Sequence, residues 1–265
     1  MTGATTRTAL AGAFALALAL AGCAGGSDRP APGESGAGVR GPVTVLAAAS
    51  LTESFHRLGD EFEAAHPGTT VTFSFAGSSA LATQVNQGAP ADVFAAASPA
   101  TMRPVTDAGN AAGEPTTFAR NQLVIAVPKG NPGGIGTLAD LTRPGVKVAL
   151  CAEQVPCGAA ARTALDAAGV ALTPVTLESD VKGALAKVRL GEVDAALVYR
   201  TDASAAASQV DAVEFPESAR AVNDYPIVVL RQAGNPTAAR AFVAYVLSDR
   251  GRAALTAAGF QPPRA

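Results

Sequence analysis

Short apolar segments alternate with helical patterns along most of the chain, and this alternation restricts the fold more than any other feature. Strands are predicted at 43–47, 70–75, 93–96, 122–127, 147–150, 175–177, 195–199 and 227–230. Helical patterns lie between them. Strands that are separated by helices are typical of parallel sheets that carry helices on their faces. The sequence therefore predicts an α/β fold.

Several helices carry start and stop signals. The first has one apolar face, made of residues at helical spacing: Leu51, Phe55, Leu58 and Phe62. Ser50 and Glu53 have the spacing of a capping box at the start of this helix. Ser98 followed by Pro99 predicts a second helix start, and Gly169 predicts the end of an Ala-rich helix. Because the chain has no Trp and only three Tyr, its core is expected to consist mainly of Ala, Val and Leu.

The first 22 residues have the pattern of an export signal. Arg7 is their only charged residue, and the apolar run that follows is too short to span a membrane comfortably. The run ends in Leu-Ala-Gly-Cys23, which resembles the lipobox of bacterial lipoproteins. That resemblance implies cleavage before Cys23 and acylation of its sulfur and nitrogen. An ordinary signal peptide with an incidental cysteine is the alternative.

Residues 23–41 are predicted to be the lipidated cysteine and a flexible tether, because they are rich in Gly, Pro and Ser and contain few large apolar residues. The folded part then begins near Pro42. The formal net charge is −2, and the basic residues form no run, which argues against a nucleic-acid partner. The mature protein is expected to be exported and anchored to the cell membrane, facing a periplasm or the cell exterior.

Two cysteines remain once Cys23 is assigned to lipid. Cys151 and Cys157 form an even pair in a protein expected to work in an oxidising compartment. A disulfide between them is therefore predicted. Two buried free thiols are the alternative.

Four strand-to-helix turns carry hydrogen-bond donors, around Ser50, Ser78, Cys157 and Val181. Ligands of open parallel sheets bind beyond the carboxyl ends of the strands, where the following helices begin. Helix starts carry N–H groups without partners and a partial positive charge, which suits an anion. Each turn also has a simpler interpretation, since Ser and Asp side chains often act as N-caps. Tyr199, at the end of a strand, is either a donor or a half-buried core residue.

Enzyme chemistry is weakly supported. The two histidines, His56 and His66, have no cysteine, histidine or carboxylate at metal-ligand spacing. A nucleophile elbow has Gly two residues before and two residues after its serine, and Ser78 has Ala at both positions. The sequence therefore predicts no enzyme, no cofactor and no metal ion held by protein ligands.

Several segments, in this order, closely resemble the molybdate-binding proteins of ABC importers. They are Val-Thr-Val-Leu-Ala-Ala-Ala-Ser50-Leu-Thr-Glu-Ser-Phe, Phe75-Ala-Gly-Ser78-Ser-Ala-Leu-Ala, Gly88-Ala-Pro-Ala-Asp92-Val-Phe, Asn121-Gln-Leu-Val-Ile-Ala-Val-Pro, Val155-Pro-Cys-Gly158, Asp180-Val-Lys-Gly-Ala-Leu and Ala196-Leu-Val-Tyr199. The resemblance implies a two-lobed class II periplasmic-binding-protein fold with a ligand cleft between mostly parallel sheets. Lobe 1 would contain residues 42–120 plus 225–265, and lobe 2 residues 121–224.

The resemblance also implies a site that holds a tetrahedral oxyanion by hydrogen bonds alone. Ser50 and Ser78 would donate from hydroxyl and N–H groups, Cys157 and Val181 from N–H groups, and Tyr199 from its phenol. Molybdate carries no proton, so a site made of donors suits it, and tungstate is expected to bind as well. The implied partners are a molybdate permease and its ATPase, with the receptor acting as a monomer.

Other functions remain open at this point. A receptor for another oxyanion, chiefly sulfate, would use the same donors and differ only in cavity size. A surface or sensor protein without a transport role would share the fold. A hydrolase that uses Ser78 is the third alternative. Two positions depart from the family pattern: Gly77 replaces a residue that is polar in many relatives, and Cys157 replaces a small residue such as Ala.

Overall fold

The computed structural model of the protein describes residues 38–264 and contains ten strands. In chain order they are β1 Gly41–Ala48, β2 Thr69–Ala76, β3 Val93–Ala95, β4 Thr116–Asn121, β5 Leu123–Pro128, β6 Val148–Cys151, β7 Thr176–Glu178, β8 Ala195–Tyr199, β9 Val210–Val213 and β10 Asn223–Val229. The predicted export signal, the lipid site at Cys23 and most of the predicted tether lie outside the described residues.

The strands form two five-stranded sheets that share one arrangement. Their orders are β2-β1-β3-β10-β4 and β7-β6-β8-β5-β9. In each sheet the fourth strand runs antiparallel to its neighbours, and the other four strands share one direction. The predicted α/β fold with two mostly parallel sheets is therefore confirmed.

In the described part of the chain, eight α-helices cover the sheets. They are α1 Thr52–Ala65, α2 Ser78–Asn86, α3 Pro99–Asp107, α4 Pro156–Ala168, α5 Val181–Arg189, α6 Arg200–Ala205, α7 Pro236–Leu247 and α8 Asp249–Ala257. Short 3₁₀ turns occur at Ala49–Leu51, Ala139–Thr142 and Pro216–Arg220. No helix within residues 38–264 has both the length and the apolar character needed to cross a membrane.

The chain passes between the two sheets twice. It leaves the first sheet at the end of β4 and enters the second with β5, and it returns between β9 and β10. Each crossing delivers the strand that runs against the others in its sheet. The lobe boundaries drawn from the sequence, 42–120 plus 225–265 and 121–224, remain predictions.

The start of the first helix differs from the prediction. Its apolar face is buried as expected, but the chain first forms the 3₁₀ turn Ala49–Leu51, so that α1 begins only at Thr52. No side chain caps this helix. The predicted capping box of Ser50 and Glu53 is therefore wrong, since the 3₁₀ turn moves Ser50 out of the capping position.

The core differs between the two sheets. Aromatic rings cluster on the first sheet, where Phe55 contacts the rings of Phe73, Phe118 and Phe242. The second sheet is covered mainly by small aliphatic residues, such as those of β8 and α5. The expected Ala, Val and Leu core thus describes the second sheet, while the few aromatic residues of the chain are concentrated on the first.

Most strands were predicted to within two residues, and the exceptions are polar or short. Neither β4 nor β9 was predicted, because Arg120 and Asn121 interrupt the first and Asp211 the second. Strand β10 begins four residues before the predicted start at 227, with Asn223 and Asp224. Pairing with neighbouring strands stabilises these polar segments, and a local pattern does not contain that information.

Candidate anion-binding site

All five predicted ligand residues line one small cavity between the two sheets. The cavity has a volume of about 20 Å³. A cavity needs roughly 10–15 Å³ to hold one water molecule, so this one is small. Its walls are formed by Ala48, Ala49, Ser50, Ala76, Gly77, Ser78, Ala97, Val155, Pro156, Cys157, Asp180, Val181 and Tyr199. The structure therefore brings together residues that are up to 149 positions apart in the sequence (50 to 199).

Helix starts without capping side chains surround the cavity. The N-cap residues of the turn Ala49–Leu51, of α2 and of α4 are Ala48, Gly77 and Val155, and none of them makes a side-chain cap hydrogen bond. The N–H groups in the first turn of a helix have no partner within the helix. At these three starts they are donors, and the partial positive charge of each helix end adds to them.

Helix α5 is capped, but only in part. The Asp180 carboxylate accepts the N–H of Gly183 at 3.0 Å. The N–H of Val181, the first residue of the helix, is left as a donor at the cavity. The interpretation of Asp180 as an N-cap is therefore confirmed, and its side chain is the only charged one among the lining residues.

The hydroxyl of Ser78 is oriented by a buried hydrogen bond. Its Oγ accepts the N–H of Ala97 at 3.0 Å, and the side chain is only 1% exposed. An oxygen that accepts an N–H keeps its own proton for a further acceptor. Gly77, rather than Ser78, occupies the N-cap position of α2, so the interpretation of Ser78 as an N-cap is wrong.

The phenol of Tyr199 is held in the same way. Asn223 Nδ2 donates to its oxygen at 2.8 Å. Burial raises the pKa of the phenol well above its ordinary value, and the nearby Tyr225 and Asp202 raise it further. Tyr199 therefore stays protonated. Because its oxygen already accepts a hydrogen bond from Asn223, its proton is left to be donated, either to the neighbouring hydroxyl of Tyr225 or to a group in the cavity.

Ser50 is held by a similar contact. Two residues that take part in these contacts, Tyr225 and Asn223, were not predicted as ligand contacts. Ser50 Oγ lies 2.9 Å from the hydroxyl of Tyr225, and burial raises the pKa of that phenol. Tyr225 and Asn223 both belong to β10, directly after the second crossing between the sheets. The polar start of that strand is the only sequence signal that points to them.

The predicted disulfide between Cys151 and Cys157 is present. The two sulfur atoms are 2.06 Å apart, and the two Cα atoms 5.7 Å. The bond joins the end of β6 to the first turn of α4, and both residues are buried. It fixes the segment that carries the N–H of Cys157. The alternative of two free thiols is wrong.

A cluster of three charged side chains includes Lys182, the residue after the lining residue Val181, and only Asp202 among the three is fully buried. Lys182 Nζ is 3.0 Å from Asp202 and 2.7 Å from Glu53 of α1. Burial raises the pKa of Asp202 to about 6, although Lys182 opposes this shift. Burial also lowers the pKa of Lys182, but the two carboxylates outweigh it and the net shift is upward. The ammonium charge is thus neutralised by protein carboxylates and adds no free cation to the cavity.

The chemistry of the cavity suits a small, fully deprotonated anion. Its polar groups are donors, apart from the carboxylate of Asp180, which caps α5. Pockets for drug-sized organic ligands have volumes of about 300–1,000 Å³, so this cavity is far too small for them. Within residues 38–264 no group of three or more His, Cys, Asp or Glu residues could hold a metal ion.

A hydrolase that uses Ser78 would need a general base beside it, and neither histidine lies there. The ring of His56 packs against Phe73 and Phe75, and the ring of His66 packs against Phe62. Neither histidine is among the residues that line the cavity. A serine nucleophile needs a base within hydrogen-bond reach.

Comparison with known proteins places the chain in a family. Residues 43–261 match the family model described as bacterial extracellular solute-binding protein. The molybdate-binding protein ModA of Mycobacterium tuberculosis is 47% identical over 248 residues, which cover 94% of this chain and 95% of that protein. The curated relatives are solute-binding proteins, which confirms the prediction that the chain is not an enzyme.

Two solved structures share the fold. The periplasmic molybdate-binding protein of Azotobacter vinelandii has a TM-score of 0.72 and 21% identity, over 84% of this chain and all of that one. The sulfate-binding protein SubI of M. tuberculosis has a TM-score of 0.71 and 19% identity, over 83% of this chain and 86% of that one. With its residues 43–261 matched and a relative at 47% identity, the chain belongs to the family of bacterial extracellular solute-binding proteins.

Proposed function

We propose that the protein captures molybdate, and also tungstate, outside the cytoplasm and delivers it to an ABC importer. The observation that carries this proposal is the small cavity between the sheets, whose available polar groups are all donors. The name of the M. tuberculosis relative, at 47% identity, supports the choice of anion.

The protonation state of the anion supports the same choice. Molybdate and tungstate carry no proton at neutral pH, so every oxygen accepts hydrogen bonds. Hydrogen phosphate has a proton that needs an acceptor, and the one carboxylate among the lining residues, Asp180, holds the N–H of Gly183 with Oδ1 as it caps α5. Phosphate would have to place its proton on the other oxygen of Asp180, and a proton left without an acceptor costs about 1–3 kcal/mol.

Each donor has a role in this proposal. Ser50 and Ser78 give hydroxyl and N–H groups from the side of the first sheet. Cys157 and Val181 give N–H groups from the second, and Tyr199 gives its phenolic proton. A charged ligand strengthens each of these hydrogen bonds relative to a neutral one.

Sulfate is the second candidate, because it also consists of acceptor oxygens and a sulfate-binding protein shares the fold. Its shorter bonds make it the smaller anion. Only the separation of the donors across the cavity can discriminate between the two, since their charge and shape are the same.

The two crossings between the sheets provide the hinge in this proposal. Near the first, Asn121 Nδ2 donates to Thr201 of α6 at 2.8 Å. At the second, Asn223 donates both to Ala97 and to Tyr199, each at 2.8 Å. The lobes would open about these segments to admit the anion and close to surround it.

Anchoring and partners follow from the export signal and the family. Cys23 would carry the lipid and residues 24–41 the tether, so that a monomeric receptor stays near a permease and its ATPase. Replacing Cys23 with Ala should release the protein from the membrane fraction into the soluble fraction. A variant that remains in the membrane fraction would contradict the lipid anchor.

Thermal unfolding of residues 24–265 in the presence of four anions tests the ligand. A ligand that binds only the native state stabilises it, by about 2.7 kcal/mol at one hundred times its Kd. Molybdate and tungstate should raise the Tm, and phosphate should not. A clear rise with sulfate and none with molybdate or tungstate would overturn the assignment in favour of the second candidate.

A further inference from the structure

At the cavity, Gly77 of the first lobe lies close to Ser179 and Val155 of the second. A Cβ atom built on it would lie less than 3.0 Å from the backbone oxygen of Ser179 and 3.4 Å from Val155 Cγ1. Real Cβ atoms essentially never come within 3.0 Å of such an atom. The backbone of residue 77 and that of residue 179 therefore touch in a way that only glycine permits.

Space, and not backbone conformation, requires glycine here. Gly77 has φ −59° and ψ 132°, which any residue adopts readily. Gly169 shows the opposite case, because its φ is 65° and nothing lies within 4 Å of its missing Cβ. The need for glycine at position 77 thus comes from the neighbouring lobe.

The contact joins two helix starts that carry proposed donors. Gly77 is the N-cap of α2 and is followed by Ser78. Ser179 precedes Asp180, the N-cap of α5, and is two residues from Val181. The distance between the backbones at 77 and 179 therefore fixes the distance between the donors of Ser78 and Val181.

We infer that Gly77 is a positioning residue for the anion: it sets the separation at which both helix starts reach the same ligand. This inference rests on the proposed function. A side chain at position 77 keeps the segments apart and lengthens the hydrogen bonds from one lobe. N–H···O hydrogen bonds in proteins have donor–acceptor distances of about 2.7–3.2 Å, and a longer or bent bond is weaker.

A side chain at position 77 should weaken binding only in the closed form, because the segments around residues 77 and 179 separate when the lobes open. The anion would still enter the open cleft of Gly77→Ala and meet the donors of one lobe. Closure over it would then be incomplete. The variant should therefore bind at the normal rate and release the anion faster, since lost contacts in a formed complex affect mainly dissociation.

Binding kinetics of residues 24–265 with molybdate and tungstate test the inference. Gly77→Ala should lower the affinity for both anions at least about tenfold, the loss expected for one weakened bond to a charged ligand. The change should lie in the dissociation rate, and Gly77→Ser should lose at least as much. The Tm without anion should match that of the original protein.

Gly136→Ala is the matched control. Gly136 is exposed, has no positive φ, and its missing Cβ would lie 3.7 Å from its nearest neighbour, an oxygen of Asp140. This variant should bind both anions normally. Normal affinity in Gly77→Ala, or loss of its folding without anion, would overturn the inference. If the unaltered protein bound neither anion, the proposed function itself would fail.

Discussion

Two helix starts at the cavity, those of α2 and α4, differ from three other starts in the described part of the chain. Helices α3, α7 and α8 begin after Ser98, Asn235 and Ser248, whose side chains accept a first-turn N–H at 3.3, 3.2 and 3.2 Å. At the cavity, Gly77 and Val155 leave the starts of α2 and α4 without such a bond.

The difference shows where this chain gives up stability for binding. A Ser, Thr, Asp or Asn side chain at the N-cap contributes about 1 kcal/mol relative to a residue such as Ala or Val, and a few tenths of a kcal/mol relative to Gly. Bare helix starts forgo that contribution and keep their N–H groups available to a ligand. Proteins often accept lower stability at the sites that carry their function.

The largest effect is expected for Ser78→Ala, at the start of the uncapped helix α2. Ser98→Ala, which removes the cap of α3, is its counterpart. Ser78→Ala removes a proposed donor and leaves the buried N–H of Ala97 without an acceptor. We expect a loss of about 1.5–3 kcal/mol in molybdate binding and about 1–3 kcal/mol in unfolding free energy. Ser98→Ala should lower the unfolding free energy by about 1 kcal/mol and leave binding unchanged.

Calorimetric titration and denaturant unfolding measure the two quantities. Normal molybdate binding by Ser78→Ala would contradict a role of Ser78 as a donor. An equal loss of binding in Ser98→Ala would mean that uncapped and capped helix starts do not differ in their importance for the ligand.

Val181→Pro should weaken binding through one missing donor. Proline is well tolerated at the first position of a helix, and Asp180, with φ −158° and ψ 174°, has the extended backbone that must precede it. The substitution removes one N–H and also replaces a buried side chain, since Val181 is only 2% exposed, so some loss of unfolding free energy is expected as well. We expect molybdate affinity to fall about 10- to 150-fold, which corresponds to one donor to a charged ligand.

Asp249→Pro is the control for this change. Asp249 is the first residue of α8, after the extended Ser248 with φ −68° and ψ 167°. Its ion pair with Arg252 is at the surface and contributes little. Molybdate affinity should not change in this variant. Equal losses in the two variants would mean that proline acts through helix stability and not through the missing donor.

The first turn of α4 is held by the Cys151–Cys157 disulfide, and its N-cap residue Val155 makes no capping hydrogen bond. Replacing both Cys151 and Cys157 with Ser should lower the unfolding free energy by roughly 2 kcal/mol, because the unfolded chain gains freedom. The N–H of residue 157 remains but must be ordered on binding. Affinity should therefore fall by about 0.5–1.5 kcal/mol. An unchanged Kd would mean that the segment is rigid without the bond.

Asp180→Asn should give the smallest effect, and in the opposite direction. Asn caps as well as Asp, so stability should stay the same, while one negative charge next to the anion disappears. We expect molybdate affinity to rise about two- to fivefold at low ionic strength and less at high salt. A loss of affinity would show that the carboxylate supports the site.

The sequence predicted which residues meet at the cavity better than it predicted how they are held. The turns around Ser78, Cys157 and Val181 were evident because strand ends and helix starts are local patterns. The acceptors and donors that orient the hydroxyls were not. Asn223 reaches Tyr199 across 24 positions and Tyr225 reaches Ser50 across 175, and local patterns do not report contacts between distant segments.

The wrong predictions have the same origin. Ser50 and Glu53 have the spacing of a capping box, but in the fold Ser50 pairs with Tyr225 and Glu53 with Lys182. Gly77 was noted in the sequence only as a departure from the family pattern. Its close approach to Ser179 is a property of two lobes brought together, and it becomes visible only in three dimensions.

The common strand order of the two sheets has a consequence for the shape of the ligand. Four of the five proposed donors follow equivalent strands: β1 and β2 in one sheet, β6 and β7 in the other. Apart from Tyr199, the proposed donors are therefore divided evenly between two sheets of the same strand order. A tetrahedral anion has twofold axes and can offer two oxygens to each half. A planar anion with three oxygens, such as nitrate, would leave donors on one half unmatched, so this division of the donors adds a geometric filter to those of charge and size.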